Sequence, residues 1–192
     1  MNTLILLLCL CVSVVNYNRR YCLVITFIIG GIRSGKSRFA CQIAKEKNKR
    51  VAYIATCVPL DDETTERVEK HKASRPKEWM VIEESRDVAK VLLTIPDDNV
   101  ILIECLTFLV SNLLLDGMSY EDICKKMMEL IETLREINND IIIVSNEVGL
   151  GGISPNRLAR VFTDILGETN QLISNVAKEV YAVIAGIPIR IK

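Results

Sequence analysis

The 192-residue chain predicts an α/β fold: a mostly parallel sheet flanked by helices, with an antiparallel edge strand. Three observations carry this. Short apolar, β-branched runs alternate with helically spaced segments. A glycine-rich loop joins the first such run to the first helical segment. The last run, Ile187-Pro188-Ile189-Arg190-Ile191, follows Gly186 and contains a proline, which suits a turn into an edge strand.

Taken in order, Cys22 to Ile29 is apolar and β-branched, as a buried parallel strand requires. Gly30-Gly31-Ile32-Arg33-Ser34-Gly35-Lys36-Ser37 then spells G-x-x-x-x-G-K-S, the phosphate-binding loop of P-loop NTPases. The glycines let the backbone curl so that successive N–H groups face phosphate oxygens. Arg38 to Lys45 is helix-compatible, with Phe39, Ala40, Ile43 and Ala44 at helical spacing. Strand, loop and helix in that order place the phosphates on a helix N-terminus. The chain is therefore expected to bind a nucleoside triphosphate.

Further strands are expected at Val51–Ile54, Val100–Ile103, Ile141–Val144 and Val180–Ile184. A polar, helical stretch runs from Asp61 to Ser74. The clearest helix is expected from about Ser119 to Ile137, with Ser119 as cap, Ile123, Met127, Leu130, Ile131 and Leu134 on one face, and Asn138-Asn139-Asp140 as its end. Ser154-Pro155 reads as an N-cap and first-turn proline opening a helix through Leu158, Val161, Phe162 and Ile165. Residues 22–192 are expected to form a single catalytic domain, without repeats or linkers.

Composition narrows the function classes. Lys+Arg and Asp+Glu both number 24, so no bulk attraction to nucleic acid or anionic lipid is expected. The seven cysteines form no C-x-x-C pair and sit mostly in apolar runs, which fits core residues in a reducing cytoplasm. Residues 1–21 contain the apolar run Leu4–Val15, short for a membrane span and followed, not preceded, by Arg19 and Arg20. It reads as an extension outside the core fold, not as a signal or anchor.

Ligands of such sheets bind beyond the carboxyl ends of the strands. Lys36 is expected to reach the outer phosphates and the Ser37 hydroxyl to ligate Mg²⁺. Glu104 ends a strand where such enzymes place the acid that holds Mg²⁺, and Glu147 occupies a similar place before a glycine-rich loop. His71 is the only histidine. Arg67, His71 and Arg75 fall four residues apart and share one face if the helix runs that far. An imidazole among cations suits nucleophilic attack on a phosphate; a solvated surface histidine fits the same pattern.

Together these blocks resemble the bifunctional adenosylcobinamide kinase/adenosylcobinamide-phosphate guanylyltransferase family. They are Gly30–Ser37, Tyr53-Ile54-Ala55-Thr56, Asp61-Asp62-Glu63, Arg67–Lys72 with Arg75-Pro76, Glu104–Thr107, Ser111–Leu114, Asn146–Gly151 and Asn156–Phe162. The resemblance implies a RecA-like α/β protein, a homotrimer, acting on adenosylcobinamide and its phosphate with ATP, GTP and Mg²⁺ (held by Ser37 and Glu104). A kinase step would phosphorylate the aminopropanol hydroxyl. A second step would pass GMP from GTP through a guanylyl-histidine, which by motif position is His71, to give adenosylcobinamide-GDP. The resemblance also implies nucleotide contacts at the phosphate loop, Thr56, Cys57, Val58, Lys72, Ala73, Ser74, Arg75, Glu83 and Glu104. A simple P-loop small-molecule kinase, with His71 incidental, is the alternative. Two departures from the family pattern stand out: the N-terminal extension, and Gly151-Gly152-Ile153-Ser154-Pro155, which sets its proline one residue late.

Overall fold

The computed structural model describes residues 24–59 and 61–192, so the N-terminal extension and the first residues of the expected first strand lie outside the described residues. One seven-stranded sheet organises the chain. Its strands are β1 (Ile25–Gly30), β2 (Val51–Ala55), β3 (Met80–Glu83), β4 (Val100–Glu104), β5 (Asp140–Val144), β6 (Glu179–Ile184) and β7 (Ile187–Arg190), in the spatial order β3-β2-β4-β5-β1-β6-β7. Six strands run parallel and β7 pairs antiparallel with β6. The structural result is the predicted α/β sheet with its antiparallel edge.

The β-branched runs explain the central strands. Ile101 and Ile103 of β4 face one side and Val100 and Leu102 the other, all without solvent exposure. Each such aliphatic side chain contributes about 2 kcal/mol on burial. On one side lie α3 (Val88–Leu92), α4 (Leu106–Leu115), α5 (Tyr120–Glu136) and α6 (Arg157–Val176). On the other side α1 (Lys36–Glu46) packs through Ala40 and Ala44, whose small side chains let the helix approach the strands closely. Helix α2 (Asp62–Ser74) is capped by Asp61, whose carboxylate accepts from the Thr64 amide, and carries polar residues throughout.

Several boundaries differ from expectation. Strand β3 and helices α3 and α4 were not legible: β3 is a largely exposed edge segment, α3 is only five residues long, and Leu106–Leu115 is mostly apolar with scattered polar residues, so none shows a clean period. Helix α6 starts at Arg157, capped by Asn156, whose side chain accepts from the Ala159 amide. Ser154 instead accepts from the Asn156 amide in the preceding turn. Helix α5 ends at Glu136, and Asp140 opens β5.

Candidate active site

The phosphate loop leaves β1 at Gly30, which needs to be glycine because a Cβ there would lie 2.3 Å from the Val183 carbonyl oxygen. The Ser34 amide donates to the Gly31 carbonyl at 3.2 Å, closing the curl, and Gly35 caps α1. Arg33 is exposed and adopts the left-handed conformation, φ 56°. Lys36 is buried and its Nζ donates to the Gly31 carbonyl at 2.7 Å, so the cation already lies folded over the loop. The Ser34 hydroxyl is buried and has no hydrogen-bond partner, which leaves a donor inside the anion cradle.

Register brings the acid to the loop. Glu104 ends β4 level with Ala55 of β2 and Val144 of β5. Its Oε1 accepts from the Ser37 hydroxyl. Its Oε2 accepts from the Tyr53 hydroxyl at 3.1 Å. Ser37 and Glu104 thus converge as a pair of hard oxygen donors, a donor set that fits Mg²⁺ completed by phosphate oxygens and water. Among the described residues, no group of three or more His, Cys, Asp or Glu side chains forms a metal site by itself.

The helix does not run far enough for Arg75 to share a face with His71. Helix α2 stops at Ser74, and Arg75 is an extended capping residue (φ −82°, ψ 144°), so it does not continue the helical face that carries His71. Its guanidinium instead lies over the Tyr53 ring, 3.8 Å from the ring centre, with Nε and Nη1 buried and unpartnered. Even so, His71, Arg75, Tyr53, Ser37 and Glu104 line one cleft of about 550 Å³, completed by the α1 residues Arg38, Cys41, Gln42, Lys45 and Glu46. Burial, then the Glu104 charge, pushes the Cys41 thiol up to about 11. Burial and Glu104 likewise raise Tyr53 far above the ordinary phenol range, so its hydroxyl stays a donor.

The other expected nucleotide contacts divide. Thr56 is fully buried and structural in its contacts: its hydroxyl donates to the Cys105 carbonyl at 2.8 Å and accepts from the Cys105 amide at 2.7 Å. Lys72 and Glu83 form an exposed ion pair at 3.0 Å. Neither these three nor Cys57, Val58 or Ala73 line the cleft, while Ser74 closes α2. Two residues escaped sequence reasoning as site builders. Tyr53 was visible as a strand residue within a family-like block, with no role of its own. Asn112 holds the β2 end by donating to the Thr56 and Ser85 carbonyls, at 2.8 and 3.1 Å. On the far side of the loop, the Glu147 amide donates to the Gly30 carbonyl at 3.1 Å, while its carboxylate accepts from the Gly149 amide at 2.8 Å.

The family model for cobinamide kinase / cobinamide phosphate guanyltransferase matches residues 26–191. The chain belongs to this family. It is 36% identical over 178 residues to the bifunctional adenosylcobalamin biosynthesis protein CobU of Escherichia coli, covering 86% of this chain and 98% of that protein. It is 38% identical over 167 residues to the bifunctional adenosylcobalamin biosynthesis protein CobP of Pseudomonas aeruginosa, covering 86% and 95%. The fold also resembles a prototypical ATPase from the type III secretion system of pathogenic bacteria, at 10% identity and a TM-score of 0.50, covering 83% of this chain and 50% of that one. That likeness concerns the fold alone.

Membership in the cobinamide kinase / guanyltransferase family and an intact phosphate loop make this a nucleotide-binding P-loop protein. The loop in which the chain departs from the family pattern is a short 3₁₀ turn, Gly149–Gly151, followed by the exposed Gly152 and Ile153. Among the described residues no helix is long and apolar enough to cross a membrane.

Proposed function

We propose that this chain, as a member of its family, carries out two successive transfers on cobinamide in cobalamin assembly and salvage. In the first, the γ-phosphoryl group of ATP or GTP passes to the aminopropanol hydroxyl of adenosylcobinamide: the bond to the β-phosphate oxygen breaks and the hydroxyl loses its proton. In the second, a ring nitrogen of His71 attacks the α-phosphorus of GTP, a P–N bond forms, and pyrophosphate leaves. An oxygen of adenosylcobinamide phosphate then displaces the histidine, giving adenosylcobinamide-GDP and restoring His71.

One observation carries this reading: Ser37 and Glu104 of the phosphate-loop side share a single cleft with His71 and Arg75. Phosphoryl and nucleotidyl transfer depend on positioning and charge neutralisation more than on elaborate acid–base groups. Lys36 and the loop amides hold the outer phosphates, and Arg75 offers two unpartnered N–H donors to an anion. Mg²⁺ bound at Ser37 and Glu104 would neutralise charge on the phosphate oxygens. A cytoplasmic homotrimer completes the proposal.

The test is incubation with Mg²⁺ and α-³²P-labelled GTP, followed by acid and base treatment of the denatured protein, with His71→Ala alongside. The expected label is acid-labile, base-stable and absent from the variant. Absence of label despite GTP binding would leave a simple P-loop kinase.

A further inference from the structure

We propose that Tyr53 is a positioning residue that ties the two halves of the cleft together, its hydroxyl setting Glu104 and its ring face setting Arg75. The inference rests on the proposed function only for the chemistry assigned to each half. Tyr53 is 2% exposed and locked between strand neighbours on the cleft side of the sheet. Its hydroxyl donates to Glu104 Oε2, which leaves Oε1 to the Ser37 hydroxyl. The carboxylate is thus held at both oxygens, and its orientation beside the phosphate loop is set.

The ring does something a carboxylate partner would not. A guanidinium paired with Asp or Glu spends its N–H groups on that partner, whereas a guanidinium stacked on an aromatic face keeps them. Arg75 sits 3.8 Å above the ring centre, and its Nε and Nη1 remain buried without a partner. Buried unpartnered donors of a charged group are costly unless a ligand satisfies them. The cleft they border also holds His71 and the Ser37–Glu104 pair, so the ligand that fits is a phosphate or pyrophosphate group. A single side chain with two rotatable bonds therefore presets an acid for one transfer and an arginine for the other.

The only tryptophan, Trp79, supplies the readout, since its ring centre lies 6.2 Å from that of Tyr53. The experiment titrates inorganic pyrophosphate into the full-length protein by Trp79 fluorescence, comparing wild type, Tyr53→Phe, Tyr53→Leu, Arg75→Leu and the double leucine variant. Tyr53→Phe keeps the ring and is expected to hold pyrophosphate affinity within about twofold. Tyr53→Leu should weaken it about tenfold, and should add nothing on the Arg75→Leu background. In the kinase assay Tyr53→Phe should lower kcat about fivefold with KM for the nucleotide unchanged. Equal loss of affinity in the Phe and Leu variants, an additive double variant, or an unaltered kcat in Tyr53→Phe would each overturn the proposal. Melting of Tyr53→Phe near the wild-type temperature confirms that the comparison is between folded proteins. A wild type that forms no guanylyl-histidine would sink the functional reading, while the pyrophosphate cycle would still decide the role of Tyr53.

Discussion

The Gly186 amide donates a 2.8 Å hydrogen bond to the Ser34 carbonyl, so the turn between the last two strands braces the phosphate loop from 152 residues away in sequence. Gly186 has φ +83°, and a Cβ there would sit 3.0 Å from Arg38 Nη2. Gly186→Ala forces an L side chain into the left-handed region and is expected to cost about 1 kcal/mol, a Tm lower by about 3 °C. Because the bond it disturbs lies in the loop, nucleotide affinity should fall about fivefold. Calorimetric melting and a nucleotide titration check both; a variant with unaltered affinity would show that the loop holds its shape without the brace.

Lys36 carries the second prediction. Its ammonium is buried over the loop and donates to the Gly31 carbonyl at 2.7 Å, preplaced for the outer phosphates. Lys36→Ala removes a charge whose partner develops in the transfer itself, so phosphoryl transfer should drop by about 100-fold or more. Thermal melting alongside the assay separates this loss from any loss of fold. Transfer of label from γ-³²P nucleotide to cobinamide measures the effect, and a loss under tenfold would remove Lys36 from the machinery.

Cys41 lies in the cleft wall, and burial followed by the Glu104 charge raises its thiol from 9.0 to about 11. At pH 8 its thiolate fraction is then about 100-fold below that of an ordinary cysteine. Iodoacetamide should modify the Cys41 peptide correspondingly slowly, and a bound nucleotide should slow it further. Mass spectrometry of timed samples gives the rate. Modification as fast as that of a model thiol would contradict a half-buried Cys41 beside Glu104.

Asp140 offers a pH test far from the cleft. Burial alone would raise its carboxyl, but the Lys49 hydrogen bond at 3.0 Å and the Lys47 charge at 3.6 Å outweigh it and hold it below the ordinary 3.8. A depressed folded value means that the stabilisation is fully present above pH 3.8 and is lost as pH falls through the lower folded value. Lys49 is half exposed, so solvent screens the pair and Asp140→Asn should cost only about 0.5 kcal/mol at pH 7. Urea titrations of both proteins should converge as pH falls below 3.8 and through the lower folded value; a gap that persists beyond it would assign the effect to packing.

How much of the site was legible depended on how local its parts are. The phosphate loop is eight consecutive residues whose conformation follows from glycine placement and the helix it opens, so its position could be read directly. Glu104 could be read as well, because a carboxylate ending an apolar run marks the carboxyl edge of a strand. His71 and Arg75 could be named, but not their relation. Four-residue spacing suggests a shared helical face, and the helix ends between them before Pro76, a residue that disfavours helical backbone in the position preceding it. Tyr53 looked like one more core aromatic; only its 51-residue reach to Glu104 and its stacking under Arg75 reveal otherwise.

The sequence by itself determined the class of fold, the anion cradle and the family, because each is written in short-range pattern: alternating apolar runs, glycines at fixed offsets, and contiguous blocks of residues. Only the tertiary structure decided which of those residues meet. Sheet order places β4 between β2 and β5, and that register brings Glu104 to Ser37 over 67 residues of chain. Such pairings depend on strand order and crossover geometry, which no local spacing encodes. The cleft therefore emerges from the packing of the sheet, although its separate residues were visible beforehand.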